Sequence, residues 1–246
     1  MPPDHMRIYA IGDIHGRADL LCQMHNAIAE HAAAADPADN HIVYLGDYID
    51  RGLQVKEVID ILATAPPEEF TPVFLKGNHE EMLLEFLNGA GILEDWLAVG
   101  GRATLMSYGV MVTGQTHDPI RAEQIRLEFL DALPRNHHEF LSALQVSFRA
   151  GDYLFVHAGI RPGVPLENQY PGDLTSIREP FLSNRKNLDV RVIHGHNITS
   201  RPEILPWRIG VDTGAYATGR LSCVMIEGGQ TSFLTVNADG NDDATP

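Results

Sequence analysis

The feature that most constrains this chain is a device repeated along it: a short apolar run that stops at a small cluster of glycine with Asp, His or Asn. Arg7 to Ile11 leads into Gly12-Asp13-Ile14-His15-Gly16, and Ile42 to Leu45 into Gly46-Asp47-Tyr48-Ile49-Asp50-Arg51-Gly52. Val73 to Leu75 leads into Gly77-Asn78-His79-Glu80, Tyr153 to Val156 into His157-Ala158-Gly159, and Val190 to Ile193 into His194-Gly195-His196. Unbroken apolar runs of this length are buried strands, because a strand covered on both faces shows no polar alternation. Between the early runs, Leu20, Leu21, Met24 and Ile28 share one helical face, as do Val55, Val58, Ile59 and Leu62. The order is therefore β-α-β-α-β, which predicts an α/β fold with largely parallel pairing and a ligand crevice beyond the carboxyl ends of the strands. All five polar clusters fall at those ends.

Beyond the third cluster the sequence predicts a helix over Glu81 to Leu87. The segment from 89 to 149 then changes character, with Gly100-Gly101, a helix from Arg121 to Leu133 stopped by Pro134, and a short helix ending near Leu144. It reads as a cap over the site within a single domain spanning 1–246. Two hairpins are expected, one turning at Ala150-Gly151-Asp152 and one joining Leu221 to Ile226 with Thr231 to Val236 through Gly228-Gly229. Asn237 to Pro246 is polar and acidic, a tail expected to fray.

Composition narrows the partners. Lys and Arg number 18 against 33 Asp and Glu, a net charge of −15 that repels a phosphate backbone over most of the surface, so no nucleic-acid partner is expected. Two cysteines without a CxxC spacing, Cys22 and Cys223, form neither a disulfide framework nor a zinc knuckle, and both are expected to be reduced and buried. No run of 18 apolar residues occurs, and the first strand begins at Arg7, leaving no room for a signal peptide; a cytoplasmic protein with no membrane partner is the expectation. Nothing in the pattern fixes an oligomeric state.

Mixed Asp, His and Asn donors suit borderline divalent ions such as manganese, iron or zinc better than magnesium or calcium, which take oxygen ligands. Glycines beside them let backbone approach closely in tight turns. With GDIHG, GDYIDRG, GNHE, HAG and HGH in this order from residue 12 to residue 196, the sequence resembles the phosphoprotein phosphatase family of binuclear metallophosphoesterases, in its bacterial and bacteriophage-lambda-like branch. The stretch Val211-Asp212-Thr213-Gly214-Ala215 to Leu221 looks like the final strand region of that branch.

The resemblance implies a calcineurin-like α/β sandwich of two mixed β-sheets flanked by helices, with a helical cap insertion. It implies that Asp13 and His15 hold a first metal, that Asp47 bridges to a second, and that Asn78, His157 and His196 complete the second. Two divalent ions, manganese first with iron or zinc as alternatives, would share a hydroxide that attacks phosphorus in line. By the same likeness His79 would protonate the leaving oxygen with Asp50 orienting its ring, and Arg51, Arg178 and Lys76 would hold the phosphate. Many phosphodiester-cleaving relatives end in GHxH, whereas here the run is Gly195-His196-Asn197-Ile198, and Ile198 cannot ligate. Lys76 stands where arginine is frequent, Ser176 where tryptophan often precedes the arginine, Asn197 where threonine is common, and Val99 where asparagine is commoner.

The expected activity is hydrolysis of phosphomonoesters, with a phosphorylated Ser, Thr or Tyr of a protein or peptide as the substrate partner. The alternative on the same core is a symmetrical bis(5′-nucleosyl)-tetraphosphatase, which would need a cap pocket for adenine. A silent phospho-binding scaffold is the third reading; it would be expected to have lost a ligand or the acid, and none is missing. The remaining histidines, among them His25, His137 and His194, show no partner pattern. Trp96, Phe129 and Phe140 recur at apolar cap positions and read as core.

Overall fold

The computed structural model describes residues 5–89, 91–113, 116–184 and 188–240. The first half runs β1 (Met6–Ile11), α1 (Ala18–Ala34), β2 (Asp39–Tyr44), α2 (Val55–Thr64), β3 (Thr71–Phe74) and α3 (Asn78–Leu87). Four helices follow: α4 (Leu93–Val99), α5 (Gly101–Ser107), α6 (Pro119–Ala132) and α7 (Arg135–Ser142). Then come β4 (Ser147–Ala150), β5 (Tyr153–Val156), α8 (Pro171–Ser176), β6 (Arg191–His194), β7 (Glu203–Ile204), β8 (Arg208–Gly210), α9 (Ala215–Thr218), β9 (Arg220–Glu227) and β10 (Gln230–Asn237).

Two five-stranded sheets form, in the orders β10-β9-β1-β2-β3 and β4-β5-β6-β8-β7. The centres are parallel as the sequence predicts, while β9, β10, β4 and β7 pair antiparallel at or toward the edges. The hairpins account for much of this: Gly228 and Gly229 both take positive φ (54° and 83°), the turn geometry that matches strand twist and returns β10 directly onto β9.

Period-two alternation sorts the apolar strands into layers. Ile8 and Ala10 of β1 face Tyr153 and Phe155 of β5 across the space between the sheets. Tyr9 and Ile11 point outward into a larger core under α1 to α7. On the far side Leu154, Val156 and Val192 pack under Leu174, Ile177 and Phe181. The inner face is thus apolar, and a bridge between Leu75 and Gln145 fastens the two sheets near the end where the polar loops emerge.

The segment over 89–149 is a layer rather than a roof. Helices α4 to α7 pack against α2 and α3, where Trp96, Leu105, Tyr108, Ile125 and Phe129 join the outer core. Tyr108 Oη lies 2.9 Å from His137 Nδ1, and His137 Nε2 lies 2.9 Å from Asp60, so α5 and α7 are tied to α2. Among the described residues of this segment, Val99 alone lines the cleft described below.

Three further expectations change. Helix α3 starts at Asn78, earlier than Glu81, because Glu80 folds back to accept the Gly77 amide at 2.9 Å and so begins the helix. Cys22 is exposed, since it sits off the Leu20, Leu21, Met24 stripe by which α1 packs, whereas Cys223 is buried in β9. Asn237, expected to open a frayed tail, instead ends β10, and residues 241–246 lie outside the described residues. Among the described residues no helix is long and apolar enough to cross a membrane.

Candidate functional site

Five polar clusters, the first and last holding Asp13 and His196 183 residues apart, meet at one edge of the sandwich because the strands before them end there. The loops interlock through backbone. Ile14 and His15 amides donate to the Asp47 carbonyl at 3.1 and 2.9 Å, Gly195 donates to His157 at 2.8 Å, and His196 donates to Asp13 Oδ1 at 3.1 Å. The fit leaves no room for side chains at two glycines: a Cβ on Gly77 would lie 2.0 Å from Asp47 Oδ1, and one on Gly195 2.1 Å from Asp13 Oδ1. His15, Asp47, Asp50, Arg51 and His196 all adopt left-handed backbone, with φ between 44° and 69°, which non-glycine residues avoid unless their surroundings enforce it.

Glu80 supplies much of that enforcement. Fully buried, it accepts the amides of Asp47 (2.9 Å), Tyr48 (2.8 Å), Ile49 (3.3 Å) and Gly77 (2.9 Å), binding the second and third loops to one carboxylate. Nothing in the sequence reading marked it beyond its place in GNHE.

Around Asp47 the geometry fits metal. His15 Nε2 and His157 Nε2 each approach Asp47 Oδ2 at 3.4 Å, and His79 Nε2 lies at 3.8 Å. Donor atoms of His15, Asp47 and His79 form one group, and those of Asp47, His157 and His196 another, each lying within 4.8 Å of one another. Asp47 belongs to both. His15 Nδ1 sits 2.7 Å from the Ile49 carbonyl and His157 Nδ1 2.9 Å from that of Leu45, which selects the tautomers whose Nε2 lone pairs face inward. In that tautomer His157 Nε2 faces Asn78 Oδ1 at 3.3 Å, two lone pairs with no proton between them, and buried His15 Nε2 has no hydrogen-bond partner. Both arrangements call for a cation.

The electrostatics agree. Burial drives His15 and His196 down to about 3, so both are neutral imidazoles at pH 7, the form that ligates metal. Burial also opposes charge on His157, yet Asp47, Asp13 and Glu80 outweigh it and push the ring up to about 10, a demand for positive charge at this spot. Burial together with Asp212 holds Asp13 well above the usual carboxylate range. Asp212, buried at the end of the strand region after β8 and accepting the Gly214 amide at 2.8 Å, is a second acid there that the sequence reading noted only as part of a stretch.

His79 differs from its neighbours. Its Nδ1 lies 2.6 Å from Asp50 Oδ2 and its Nε2 accepts from Arg51 Nη2 at 3.1 Å, so, unlike His15 Nε2, the ring nitrogen that belongs to the first donor group already has a partner. Burial disfavours its charged form, but Asp47 and Asp50 outweigh that and raise its pKa. Beside it a cleft of about 460 Å³ is lined by Asp47, Asn78, His79 and His196 together with Arg51 and Arg178. Arg178 is exposed at its rim. Lys76 is not among the residues lining the cleft; its amide donates to the Gln145 carbonyl at 2.7 Å, continuing the bridge between the sheets. Tyr216 does line it, with the Arg51 guanidinium 4.7 Å above its ring, a contact no sequence spacing signals.

A profile of the calcineurin-like phosphoesterases matches residues 6–208. The chain belongs to that family. This phosphoesterase is 25% identical to the asymmetrical bis(5′-nucleosyl)-tetraphosphatase PrpE of Anoxybacillus flavithermus over 87% of this chain and 88% of the relative. It is 23% identical to the protein of the same name from Halalkalibacterium halodurans, over 89% of each. The relatives are thus named for asymmetrical cleavage, where the sequence reading had taken the symmetrical enzyme as its alternative. Among solved structures, a candidate diadenosine tetraphosphatase matches with a TM-score of 0.63 at 20% identity over 96% of both chains. The cold-active protein-tyrosine phosphatase of a psychrophilic Shewanella matches at 0.55 and 18%, over 100% of this chain and 83% of the other. A serine/threonine phosphatase of Saccharomyces cerevisiae matches at 0.54 and 14%, over 98% and 82%. At these identities the likeness is one of fold, and it is consistent with the phosphoprotein phosphatase resemblance.

Proposed function

We propose that this phosphoesterase is a binuclear metal-dependent phosphomonoesterase acting on phosphorylated serine or threonine of proteins, with phosphotyrosine as a further substrate. The observation that carries this reading is the buried His79–Asp50 pair beside the Asp47 cluster, a proton donor set where a monoester's leaving oxygen must be protonated. Asp13, His15 and Asp47 would hold one ion, and Asp47, Asn78, His157 and His196 the other. Two bound divalent ions, manganese before iron or zinc, supply an activated water and neutralise charge on the phosphoryl oxygens. Arg51 and Arg178 grip the phosphate with paired N–H donors. Arg51 Nη2 donates to His79 Nε2, so that nitrogen carries no proton in this arrangement; phosphate entry would draw the guanidinium onto the substrate and leave Nε2 to take from water the proton that it passes to the leaving oxygen.

A second reading, hydrolysis of dinucleoside tetraphosphates, is favoured by the names of the PrpE relatives. A substrate panel separates the two. Manganese-loaded protein should turn over p-nitrophenyl phosphate and phosphoserine peptides, and should lose this activity on rigorous chelation. Its kcat/KM on the peptides should exceed that on diadenosine tetraphosphate by at least about tenfold, a difference of roughly 1.4 kcal/mol in transition-state stabilisation. A reversed preference, with ATP and AMP as the products, would move the enzyme to the second class.

A further inference from the structure

Asp50 and Arg51, neighbours in left-handed backbone at φ 69° and 66°, are gripped from a single place, the turn between α4 and α5. The Arg51 amide donates to the Gly100 carbonyl at 3.2 Å and Arg51 Nε to the Val99 carbonyl at 3.4 Å. The Asp50 amide donates to Thr104 Oγ1 at 3.0 Å, and the Thr104 hydroxyl donates back to Asp50 Oδ1 at 2.5 Å. Trp96 Nε1 donates to Asp50 Oδ2 at 2.9 Å, the same oxygen that lies 2.6 Å from His79 Nδ1. Asp50, Trp96 and Thr104 are all fully buried.

This arrangement is directional. A hydroxyl has one proton, and because Thr104 Oγ1 already receives the Asp50 amide, that proton goes to Oδ1. The carboxylate then has one oxygen held from α5 and the other from α4. Turning it to another plane would break two buried hydrogen bonds at once. The indole is itself immobile: a Cβ on Gly101 would lie 2.6 Å from the Trp96 ring, so the glycine backbone lies flat against its face. We infer that Thr104 and Trp96 are positioning residues for the proton donor, aiming the Asp50 carboxylate so that His79 keeps Nδ1 toward it and turns Nε2 to the Asp47 cluster. The inference rests on the reading of His79 as the donor to the leaving oxygen.

The test uses leaving-group chemistry. An alkoxide from phosphoserine needs a proton as the bond breaks, while p-nitrophenolate leaves with little help. Single-turnover rates of manganese-loaded full-length protein are measured on a phosphoserine peptide and on p-nitrophenyl phosphate, with metal content and cooperative melting checked for each variant. Thr104→Val should lose about 10- to 100-fold on the peptide and under about threefold on p-nitrophenyl phosphate. Thr104→Ser, which keeps the hydroxyl, should stay within about threefold of wild type on both. Trp96→Phe, which loses the N–H together with part of the buried indole ring, should show the same bias more weakly, with metal content and melting reporting any repacking. His79→Asn is the reference.

If His79→Asn is biased while Thr104→Val and Trp96→Phe lose both activities equally, the positioning role is wrong and the donor reading stands. Should Thr104→Ser be as impaired as Thr104→Val, volume rather than the hydrogen bond is at stake, and the inference fails. An unbiased His79→Asn removes the donor reading and this inference with it. If Thr104→Val does not fold, Trp96→Phe decides alone.

Discussion

The two ends of the cleft are held in different ways. At the ion-binding end, Asp47 and the histidines around it are braced by Glu80, which lies within the same Gly77-Asn78-His79-Glu80 run that supplies Asn78. The motif carries its own scaffold there. At the other end, where we propose that His79 gives the proton, His79 and Asp50 come from the same loops, but their bracing comes from Trp96 and Thr104, 46 and 54 residues past Asp50 in a segment with none of the five clusters. A chain could therefore keep every cluster and still lose the donor geometry. Retention of the motifs guarantees the metal chemistry better than it guarantees the handling of a poor leaving group.

Attacking the ion-binding end should have the largest effect, and should not discriminate between substrates. Asp47→Asn removes one charge from the carboxylate common to both donor groups, so both ions should weaken together and turnover on every ester should fall to that of the chelated protein. Metal titration checks this; one site left unchanged in affinity would show that Asp47 does not bridge. A smaller effect is expected of Glu80→Gln, whose amide cannot accept four N–H bonds with both ends. Metal affinity should drop about 10- to 100-fold, with the ratio of peptide to p-nitrophenyl phosphate rates unchanged. A shift in that ratio would mean that Glu80 serves the donor end as well, and the contrast between the two ends would blur.

The smallest effect belongs to a residue at neither end. His25, bonded to Tyr44 at 2.8 Å between α1 and the first sheet, is driven down to about 4 by burial, so the native ring stays neutral while the unfolded chain takes a proton below about pH 6.5. Stability should therefore be complete above that pH and fall as pH drops toward 4, by at most roughly 1.4 kcal/mol per unit from this ring. His25→Gln should flatten that part of the slope in urea unfolding at several pH values, with rates on both esters unchanged. An identical slope in the variant would assign the acid sensitivity to other histidines.

What was legible in the sequence follows from the same contrast. The strand runs and the clusters after them are local signals, so an α/β fold with its polar loops gathered at one edge could be read directly, while the two-sheet sandwich and the grouping of His15, Asp47, His157 and His196 came from the family resemblance that those clusters carry. Trp96 could not be read as a hydrogen-bond donor to Asp50, because its position in the sequence is that of a core residue, and it is one as well: the ring packs on Phe86 and Phe129. Thr104 and Tyr216 gave no signal, since their roles depend on where two distant turns land. Lys76 was assigned to the phosphate only through the family likeness, in which arginine is frequent before GNHE; the structure adds that its backbone continues the bridge of Leu75 to Gln145 at the sheet junction.

Among the described residues, six non-glycine positions take left-handed backbone, and five of them, His15, Asp47, Asp50, Arg51 and His196, crowd this one edge. Each holds about 1–3 kcal/mol of conformational cost that glycine would escape. A selection for heat tolerance alone could therefore find relief at whichever of these positions loses less in side-chain contacts than it gains in backbone, and each such change would delete a proposed ligand, the proposed donor's partner or the proposed phosphate clamp. Hardening this protein without disarming it means searching the helical layer and the outer strands, and counting a glycine that arises at the edge as a sign that activity was never part of the screen.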